Sequence, residues 1–513
     1  MTSLSLTICR WLPHLRASLF VAILALFYGI AFIFADFYRM PYEGVRDLFI
    51  LSLQWFVVVG ATFALLYLLA LWRWIFAFTF PPLTILCTIL AYFRYTVHVS
   101  FSATAIELAF VNDLRTSMEV ITPLLIALVV LALLLSILLV WVRWRYIRFG
   151  RWYYHFAVAA LLTAAFLIPD KLARPVLSRI PYNIFDAFAT YFREQKVILE
   201  ERPLFQKSGA SAIDSLDIVL IIGESVRAKN LQLNGYQRAT TPLLAQEKNV
   251  VSLPHIFSEY GFTHTSVPYM LTRADRKHPD RAYQERSFIS IFQNDGYTTY
   301  WIANQEPVET YRYFMQEVDH LYYANRGRSV YSYSSWLDED VLPYLDQALD
   351  NAHPKNLVLI HTIGSHWWYN AHFTSDFTHW TPLVRSRIFS SNTEEELINS
   401  YDNTILYSDH IWTQVINRLR HRCAILFYLS DHAENLGEDG LWGHGEDHEA
   451  LHHPGCWIWY SDRYEKMFPQ AVQHLRIHAE RSYNSSFLFH SIIASGGIPS
   501  PYIESSQNLF SAP

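Results

Sequence analysis

The first third of the chain alternates long apolar runs with short charged gaps. Each of five runs is about long enough to cross a bilayer whose hydrocarbon core is roughly 30 Å thick. The runs are Ala17 to Ala35, Leu48 to Trp72, Trp74 to Phe93, Val120 to Val142 and Trp152 to Pro169. The pattern predicts a transmembrane domain of five helices over residues 1–170. Because the first run is long and no A-x-A cleavage site follows it, we expect a membrane span there rather than a cleaved signal peptide.

Arginine residues in the short gaps predict the orientation of these helices. They fall before the first run, between the second and third, and between the fourth and fifth: Arg10, Arg16, Arg73, Arg143, Arg145, Arg148 and Arg151. Because cytoplasmic loops are enriched in Lys and Arg, five crossings place the chain after Pro169 outside the membrane. A bacterial inner-membrane protein with a periplasmic C-terminal domain would fit this orientation. The tight gap at Arg73 leaves a re-entrant pair as the alternative, which would reverse that orientation.

The stretch from Ile180 to Gln195 predicts an amphipathic helix after the last run. Its apolar residues fall near one helical face: Ile184, Phe185, Phe188, Tyr191 and Phe192. Such a face fits the membrane interface, and it fits equally well packing on a soluble domain. The polar stretch from Lys207 to Ser215 then ends a connecting region over residues 171–215.

From Leu216 onwards, short apolar strands alternate with helical stretches, which predicts an α/β domain over residues 216–513. The strand-like segments are DIVLIIG, TTYWIAN, NLVLIHTIG and AILFYLSD. Polar residues follow three of them: Glu224, His366, and Asp431 with His432. Ligands of open α/β sheets bind beyond the carboxyl ends of the strands, and a carboxylate beside an imidazole is a common ligand pair for zinc.

The segment GFTHTSVPYML adds two hydroxyl groups, Thr263 and Thr265, between the first two of these strand ends. A threonine hydroxyl is a weak nucleophile at neutral pH, and coordination to zinc stabilises its ionised form. A carboxylate, a hydroxyl and an Asp-His pair at neighbouring strand ends therefore predict a metal-activated nucleophile. Further histidines at 444, 448, 452 and 453 could bind a second metal, orient a substrate or transfer a proton.

Composition supports the division into a membrane part and a soluble part. The 513 residues are too many for one ordinary domain, and a 52% hydrophobic content is high for a soluble protein. The net charge of −6 and the absence of a polybasic block argue against nucleic acid as a partner. The four cysteines, Cys9, Cys87, Cys423 and Cys456, lack CxxC spacing, so we expect free thiols, with a Cys423–Cys456 pair left open.

Five segments together resemble the phosphoethanolamine transferases, which belong to the alkaline-phosphatase and sulfatase superfamily. They are Ile221 to Leu244, Gly261 to Asp275, His361 to Asn370, Tyr401 to Trp412 and Ser430 to Gly445. The resemblance covers the whole chain, because members of that family have five membrane spans followed by a periplasmic catalytic domain. It therefore implies an N-terminal five-helix transmembrane domain and an alkaline-phosphatase/sulfatase-like α/β domain.

The resemblance also assigns roles to single residues. Glu224, Asp431 and His432 match the family's metal ligands, and Thr263 matches its nucleophile and a further ligand. Thr265 is the competing hydroxyl. His366 and His444 match two histidines that bind substrate or a second zinc. The expected cofactor is one zinc ion, with a second zinc as the alternative.

The family binds its donor lipid through polar residues in the outer loop between the third and fourth spans. Asn112 and Thr116 match two of these residues at the family's spacing, whereas Glu119 comes one residue early. The alternative is that all three are solvated residues at the start of the fourth span.

These assignments imply a two-step transfer by a monomer at the bilayer surface. Thr263 attacks phosphatidylethanolamine, diacylglycerol leaves, and the phosphoethanolamine passes from threonine to a lipopolysaccharide acceptor (lipid A or a core sugar) or a periplasmic glucan. Three alternatives remain: a phosphoglycerol transferase that uses phosphatidylglycerol, a membrane-anchored phosphatase or sulfatase-like hydrolase, and an inactive membrane-bound scaffold. Lipid head-group analysis and metal analysis would distinguish them.

Overall fold

The computed structural model describes most of the chain in two compact units. The described residues are 3–38, 40–97, 101, 106, 122–150, 152–198, 201–206, 209–325, 328, 335–350 and 353–512. One unit lies in Met1–Phe192 and the other in Arg193–Arg326 and Ser334–Pro513. The boundaries predicted at residues 170 and 215 stay predictions.

The first unit is helical. Up to residue 198 the described helices are α1 (Ser3–Ala31), α2 (Gly44–Leu71), α3 (Arg73–Val97), α4 (Pro123–Arg145), α5 (Trp152–Leu167), α6 (Asp170–Leu177) and α7 (Tyr182–Ile198). Within the described residues, four segments are long and apolar enough to span a membrane: Arg16–Asp36, Gly44–Leu71, Arg73–Thr96 and Pro123–Arg145. Helices α5 and α6 meet at an angle of 99° and would make a fifth span only if the bent pair is counted as one. Four of the five predicted spans therefore have a matching helix, and the fifth stays a prediction.

A buried arginine joins the helices of this unit at one end. The Arg143 guanidinium donates to the carbonyl oxygens of Ala70 at 2.7 Å, Leu71 at 3.0 Å and Ile147 at 2.8 Å. The last carbonyl groups of a helix have no partner within the helix, and where they are buried they have no water either. Arg143 satisfies two of them at the end of α2.

Helix α7 carries the apolar stripe predicted after the last span. Ile184 is buried, whereas Phe185, Phe188 and Phe192 are exposed. The helix therefore presents aromatic rings at its surface, and its place in the membrane interface stays a prediction.

The second unit is built on a seven-stranded sheet in the order β2-β10-β7-β1-β6-β4-β5. All seven strands run parallel except β10, which is antiparallel to both of its neighbours. The strands of the unit are β1 (Leu216–Gly223), β2 (Val250–Ser252), β3 (Ile256–Phe257), β4 (Thr298–Ala303), β5 (His320–Tyr323), β6 (Lys355–His361), β7 (Ala424–Ser430), β8 (Asn435–Leu436), β9 (Trp442–Gly443), β10 (Cys456–Tyr460) and β11 (Tyr483–Asn484).

Helices and short 3-10 turns connect these strands. The described helices are α8 (Thr263–Leu271), α9 (Arg281–Gln284), α10 (Phe288–Asn294), α11 (Glu309–Met315), α12 (Leu342–Leu349), α13 (Glu394–Leu419), α14 (Asp462–Met467), α15 (Pro469–His478) and α16 (Phe487–Ser495). Strands β1 and β7 are buried along their whole length, as expected of parallel strands covered on both faces. The four strands predicted from sequence are the four central parallel strands β7, β1, β6 and β4.

The register of the central strands determines where the site lies. Gly223 of β1 pairs with Ser430 of β7, and His361 of β6 pairs with both Ile222 and Ala303. The four strands therefore end at one edge of the sheet, here called the catalytic edge. The residues that follow them meet there.

Candidate active site

Two carboxylates and one imidazole converge just beyond β1 and β7. His432 Nε2 lies 3.5 Å from Glu224 Oε1 and 3.5 Å from Asp431 Oδ2. All three side chains are almost completely buried. Two acids buried around one nitrogen are costly unless a proton or a cation lies between them.

The hydrogen bonds of His432 determine which ring nitrogen faces the acids. Its Nδ1 donates to the carbonyl oxygen of Ala433 at 2.7 Å. In the neutral ring, Nε2 then carries the lone pair and points towards Glu224 and Asp431. A ligating histidine commonly has its second nitrogen bonded to a carbonyl group in this way.

Asp431 supplies the second indication of a cation. Its Oδ1 accepts the backbone N–H of His432 at 2.8 Å and that of Ser225 at 3.3 Å. Its Oδ2 is buried and makes no hydrogen bond within the described residues. Burial and the neighbouring Glu224 raise the pKa of Asp431 to about 6. A buried carboxylate oxygen without a donor, beside an imidazole nitrogen and a second carboxylate, fits a zinc ion well.

Thr263 lies at the start of α8 and faces this cluster. Its hydroxyl donates to Glu224 Oε2 at 3.1 Å and lies 3.4 Å from His432 Nε2. Thr265 instead donates to the carbonyl oxygen of Phe262 at 3.0 Å. The structure therefore brings Thr263 to the acids and commits Thr265 to its own helix. The N-terminus of α8 also favours an anionic phosphoryl group beside Thr263.

His366 and His444 lie beside the cluster. The ring centroids of His444 and His432 are 4.7 Å apart, and those of His444 and His366 are 5.8 Å apart. Burial and the adjacent His444 lower the pKa of His366 to about 4. Burial also lowers the pKa of His444, but the Glu434 carboxylate, 3.2 Å from its Nδ1, raises that pKa to about 9.

Ligand atoms of Glu224, His432 and His444 lie within 4.8 Å of one another and could hold a metal ion together. His444 therefore lies near enough to the predicted zinc ligands to bind the same metal ion. Asp431 lies beside the same three residues, because its Oδ2 is 3.5 Å from His432 Nε2. The geometry fits one zinc ion and leaves the count of one or two as a prediction.

Three residues at this edge were missed by the sequence reasoning. Ser225 has a left-handed backbone with φ of 58°, and its hydroxyl donates to Glu224 Oε1 at 2.6 Å. Gln305 donates its side-chain amide to Glu224 Oε2 at 2.7 Å. Glu434 holds His444. The available signal was position alone, since Ser225 follows a predicted ligand, Gln305 follows a predicted strand, and Glu434 lies two residues after His432.

The candidate donor-lipid residues Asn112, Thr116 and Glu119 lie outside the described residues. The prediction of free thiols is confirmed for three of the four cysteines. Cys87, Cys423 and Cys456 are free thiols.

Comparison with known proteins places this site in a family. The sequence model of the sulfatase family matches residues 217–498, more than half of the chain. The model described as phosphoethanolamine transferase EptA/EptB matches residues 58–196. Phosphoethanolamine transferase EptA of Escherichia coli O157:H7 is 30% identical over 306 residues, covering 57% of this chain and 55% of that protein. The chain thus spans about half the length of this relative.

Solved structures share the architecture. The integral membrane lipooligosaccharide phosphoethanolamine transferase EptA from Neisseria meningitidis gives a TM-score of 0.55 at 22% identity, over 96% of this chain and 98% of that one. The periplasmic domain of EcEptC from Escherichia coli, in complex with Zn, gives 0.54 at 24% identity, over 61% of this chain and 90% of that one. These likenesses show apolar N-terminal helices followed by a sulfatase-like α/β domain. The sulfatase match over more than half of the chain shows that the chain belongs to the sulfatase family, and residues 58–196 resemble the phosphoethanolamine transferases.

Proposed function

We propose that the protein transfers phosphoethanolamine from phosphatidylethanolamine to a lipopolysaccharide or related envelope acceptor through a phosphothreonine intermediate. The observation that carries this proposal is the position of the Thr263 hydroxyl, at the start of a helix and in contact with Glu224 and His432. The names of the relatives support the transferred group, and that of the Neisseria protein supports a lipooligosaccharide-type acceptor.

The cofactor in this proposal is zinc. Glu224, Asp431, His432 and Thr263 would hold it, with His366 and His444 available for substrate or for a second ion. The zinc complex of the EcEptC domain supports the choice of metal. When bound, zinc supplies Lewis-acid stabilisation of negative charge on the hydroxyl and on the phosphoryl oxygens.

In the first step, Thr263 Oγ1 forms a bond to phosphorus, and the bond from phosphorus to the diacylglycerol oxygen breaks. Glu224 fixes the direction of the hydroxyl and accepts its proton through Oε2, and it returns this proton when Thr263 Oγ1 leaves in the second step. His444, held by Glu434, lies close enough to the cluster to give a proton to the departing oxygen. The amide groups at the start of α8 neutralise phosphoryl charge.

In the second step, an acceptor hydroxyl or phosphate attacks the phosphorus of the phosphoethanolamine-threonine from the opposite side, and Thr263 Oγ1 leaves. His366 and His444 then take the acceptor proton or neutralise charge. The proposal includes a multi-pass protein in the bacterial inner membrane, acting as a monomer with its catalytic unit in the periplasm. There the donor head group lies at the interface while the acyl chains stay in lipid.

The test is a comparison of two lipid donors. Full-length zinc-loaded protein in detergent micelles receives phosphatidylethanolamine or phosphatidylglycerol, with and without lipopolysaccharide. We expect diacylglycerol release from phosphatidylethanolamine to be roughly ten times faster or more, and lipopolysaccharide to gain phosphoethanolamine. Faster release from phosphatidylglycerol would favour a phosphoglycerol transferase. Release that needs no acceptor and leaves free phosphoethanolamine would favour a hydrolase, and no release would favour a scaffold.

A further inference from the structure

Strand β4 brings a dipeptide, Asn304–Gln305, to the catalytic edge beside β6. Both side chains are buried. Gln305 cannot act as an acid, a base or a preferred zinc ligand. Its burial at this edge needs another explanation, which its hydrogen bonds supply.

The side-chain amide of Gln305 donates to Glu224 Oε2 at 2.7 Å. This is the oxygen that accepts from Thr263, while Oε1 accepts from the hydroxyl of Ser225 at 2.6 Å. Each oxygen of Glu224 is therefore held by a neutral donor from the protein. Two such bonds leave the carboxylate one orientation.

The backbone that carries Gln305 is itself held from both sides. Asn325 donates to the carbonyl oxygen of Gln305 at 3.2 Å. The Asn304 side chain donates to Asp338 at 2.8 Å and accepts from the Trp336 indole at 3.1 Å. Asp338 in turn accepts backbone N–H groups from the loop that leads to His366. A donor fixed in this way can impose its position on Glu224 rather than follow it.

We propose that Gln305 is a positioning residue that sets the orientation of Glu224 towards the metal and towards Thr263. The inference rests on the proposed function, because it assumes that Glu224 is a zinc ligand. Partners of ligating carboxylates raise metal affinity by fixing the ligand before the metal arrives. A residue that only satisfied a buried carboxylate would change the stability of the fold and leave the zinc affinity of the folded protein unchanged.

The test measures zinc affinity in the absence of substrate. Full-length protein in detergent is titrated against a chromophoric zinc chelator, as wild type and as Gln305→Met, which keeps the side-chain volume and removes the donor. We expect the variant to bind zinc about 10 to 100 times more weakly. Modification of Thr263 by phosphatidylethanolamine at saturating zinc should also be slower, because the hydroxyl loses its aligned acceptor.

Gln293 provides a matched control. It lies on α10, and its amide donates to the carbonyl oxygen of Glu317 at 2.7 Å and to Thr299 of β4 at 3.1 Å. Gln293→Met removes a comparable set of bonds from the same strand, away from its catalytic end. We expect Gln293→Met to lower thermal stability. Its zinc affinity should change less than about twofold, the usual variation for a site that does not interact with the metal ligands.

The outcomes separate the two proposals. Equal zinc affinity for wild type and folded Gln305→Met overturns the positioning role and leaves the transferase proposal standing. An equal loss of affinity in Gln305→Met and Gln293→Met also overturns it, because the effect would then be general. If wild type binds no zinc, the metal-dependent function and this inference both fail.

Discussion

Glu224 and Asp431 are two acids buried around a single imidazole nitrogen, an arrangement that costs stability without a cation. Burial and Glu224 raise the pKa of Asp431 to about 6. The fold nevertheless holds Asp431 Oδ1 with two backbone donors, so that Oδ2 keeps its position beside His432. Function and stability therefore oppose each other at this residue, and the two can be measured separately.

Asp431→Asn tests this opposition. The amide keeps the acceptor at Oδ1 and removes the charge, so the metal-free variant should unfold at a temperature no lower than wild type. Zinc affinity should fall by more than about a hundredfold, because a ligand is lost. Thermal unfolding without zinc measures the change in stability. The rise in Tm on adding zinc measures the change in affinity, since a ligand that binds only the folded state raises its stability. A zinc-induced rise in Tm as large as that of wild type would contradict this assignment.

The same residues show how far sequence reasoning reaches. Glu224, Asp431 and His432 could be predicted because each directly follows an uninterrupted apolar strand, and parallel strands end together. Gln305 also follows a clearly predicted strand, but an uncharged amide does not by itself indicate a catalytic or metal-binding role. The proximity of His444 to His432 could not be derived either, because it depends on the loop through Gly437 and Gly443, both of which have positive φ.

Helix α13 is the longest helix described in the catalytic unit, and it contacts the turn that follows Glu224. The Tyr401 hydroxyl on this helix donates to the carbonyl oxygen of Ser225 at 2.7 Å and accepts the backbone N–H of Arg227 at 2.9 Å. These bonds hold the turn after β1, where Ser225 takes its left-handed conformation. The position of Glu224 therefore depends on the stability of α13.

Thr393→Ala tests the start of that helix. The Thr393 hydroxyl accepts the N–H of Glu396, and the Glu396 carboxylate accepts the N–H of Thr393. Loss of this capping box should lower the free energy of unfolding by about 1 kcal/mol. Thr393→Ser keeps the hydroxyl and serves as the control, which should lose much less. Chemical denaturation of the two variants checks the difference, and equal losses would contradict it.

The Arg227–Glu438 pair connects the turn after β1 to the loop that leads to His444. Partial burial raises the pKa of Glu438, but the hydrogen bonds and charge of Arg227, helped by the Leu436 N–H, lower it to about 2. Because the folded value lies below that of an unfolded glutamate, about 4.3, folding favours the ionised form. The stabilisation is present above that unfolded value and disappears as pH falls towards 2.

Glu438→Gln should therefore have a lower Tm than wild type at pH 7, and the gap should close as pH falls through 4 to 3. Thermal unfolding over this pH range measures the gap. Glu480→Gln is the control, because Glu480 is highly exposed and a surface substitution of this kind changes stability little. A gap that stays constant down to pH 3 would show that Glu438 stabilises the loop by packing rather than by charge.

At the scale of the whole molecule, hydrophobic pattern predicted both units and the four central strands, because these depend on burial over many residues. It was less informative where one residue decides the outcome. The fifth apolar run was extended to Pro169, whereas α5 ends at Leu167 and the chain turns by 99° into α6. Proline lacks a backbone donor and disfavours helix in the residue before it, so the turn falls there.

The proposed periplasmic location of the catalytic unit requires an odd number of membrane crossings before it. A membrane-impermeant thiol reagent, applied to cells with a permeabilised outer membrane, should label Lys277→Cys and leave Arg148→Cys unlabelled, both in a Cys423→Ser background. Both positions are exposed in the structure, so both should react once the cells are lysed. Labelling of neither position before lysis would indicate four crossings, and labelling of Arg148→Cys alone would indicate the reversed orientation; either result would contradict the proposed topology.

The covalent intermediate on Thr263 is the decisive observation for the proposed transfer. Zinc-loaded protein is incubated with phosphatidylethanolamine without acceptor, digested and analysed by mass spectrometry. We expect one phosphoethanolamine on the peptide that contains Thr263, in wild type and in Thr265→Ala, and none in Thr263→Ala. An unmodified peptide in wild type while diacylglycerol accumulates, or a modification that persists in Thr263→Ala, would contradict it.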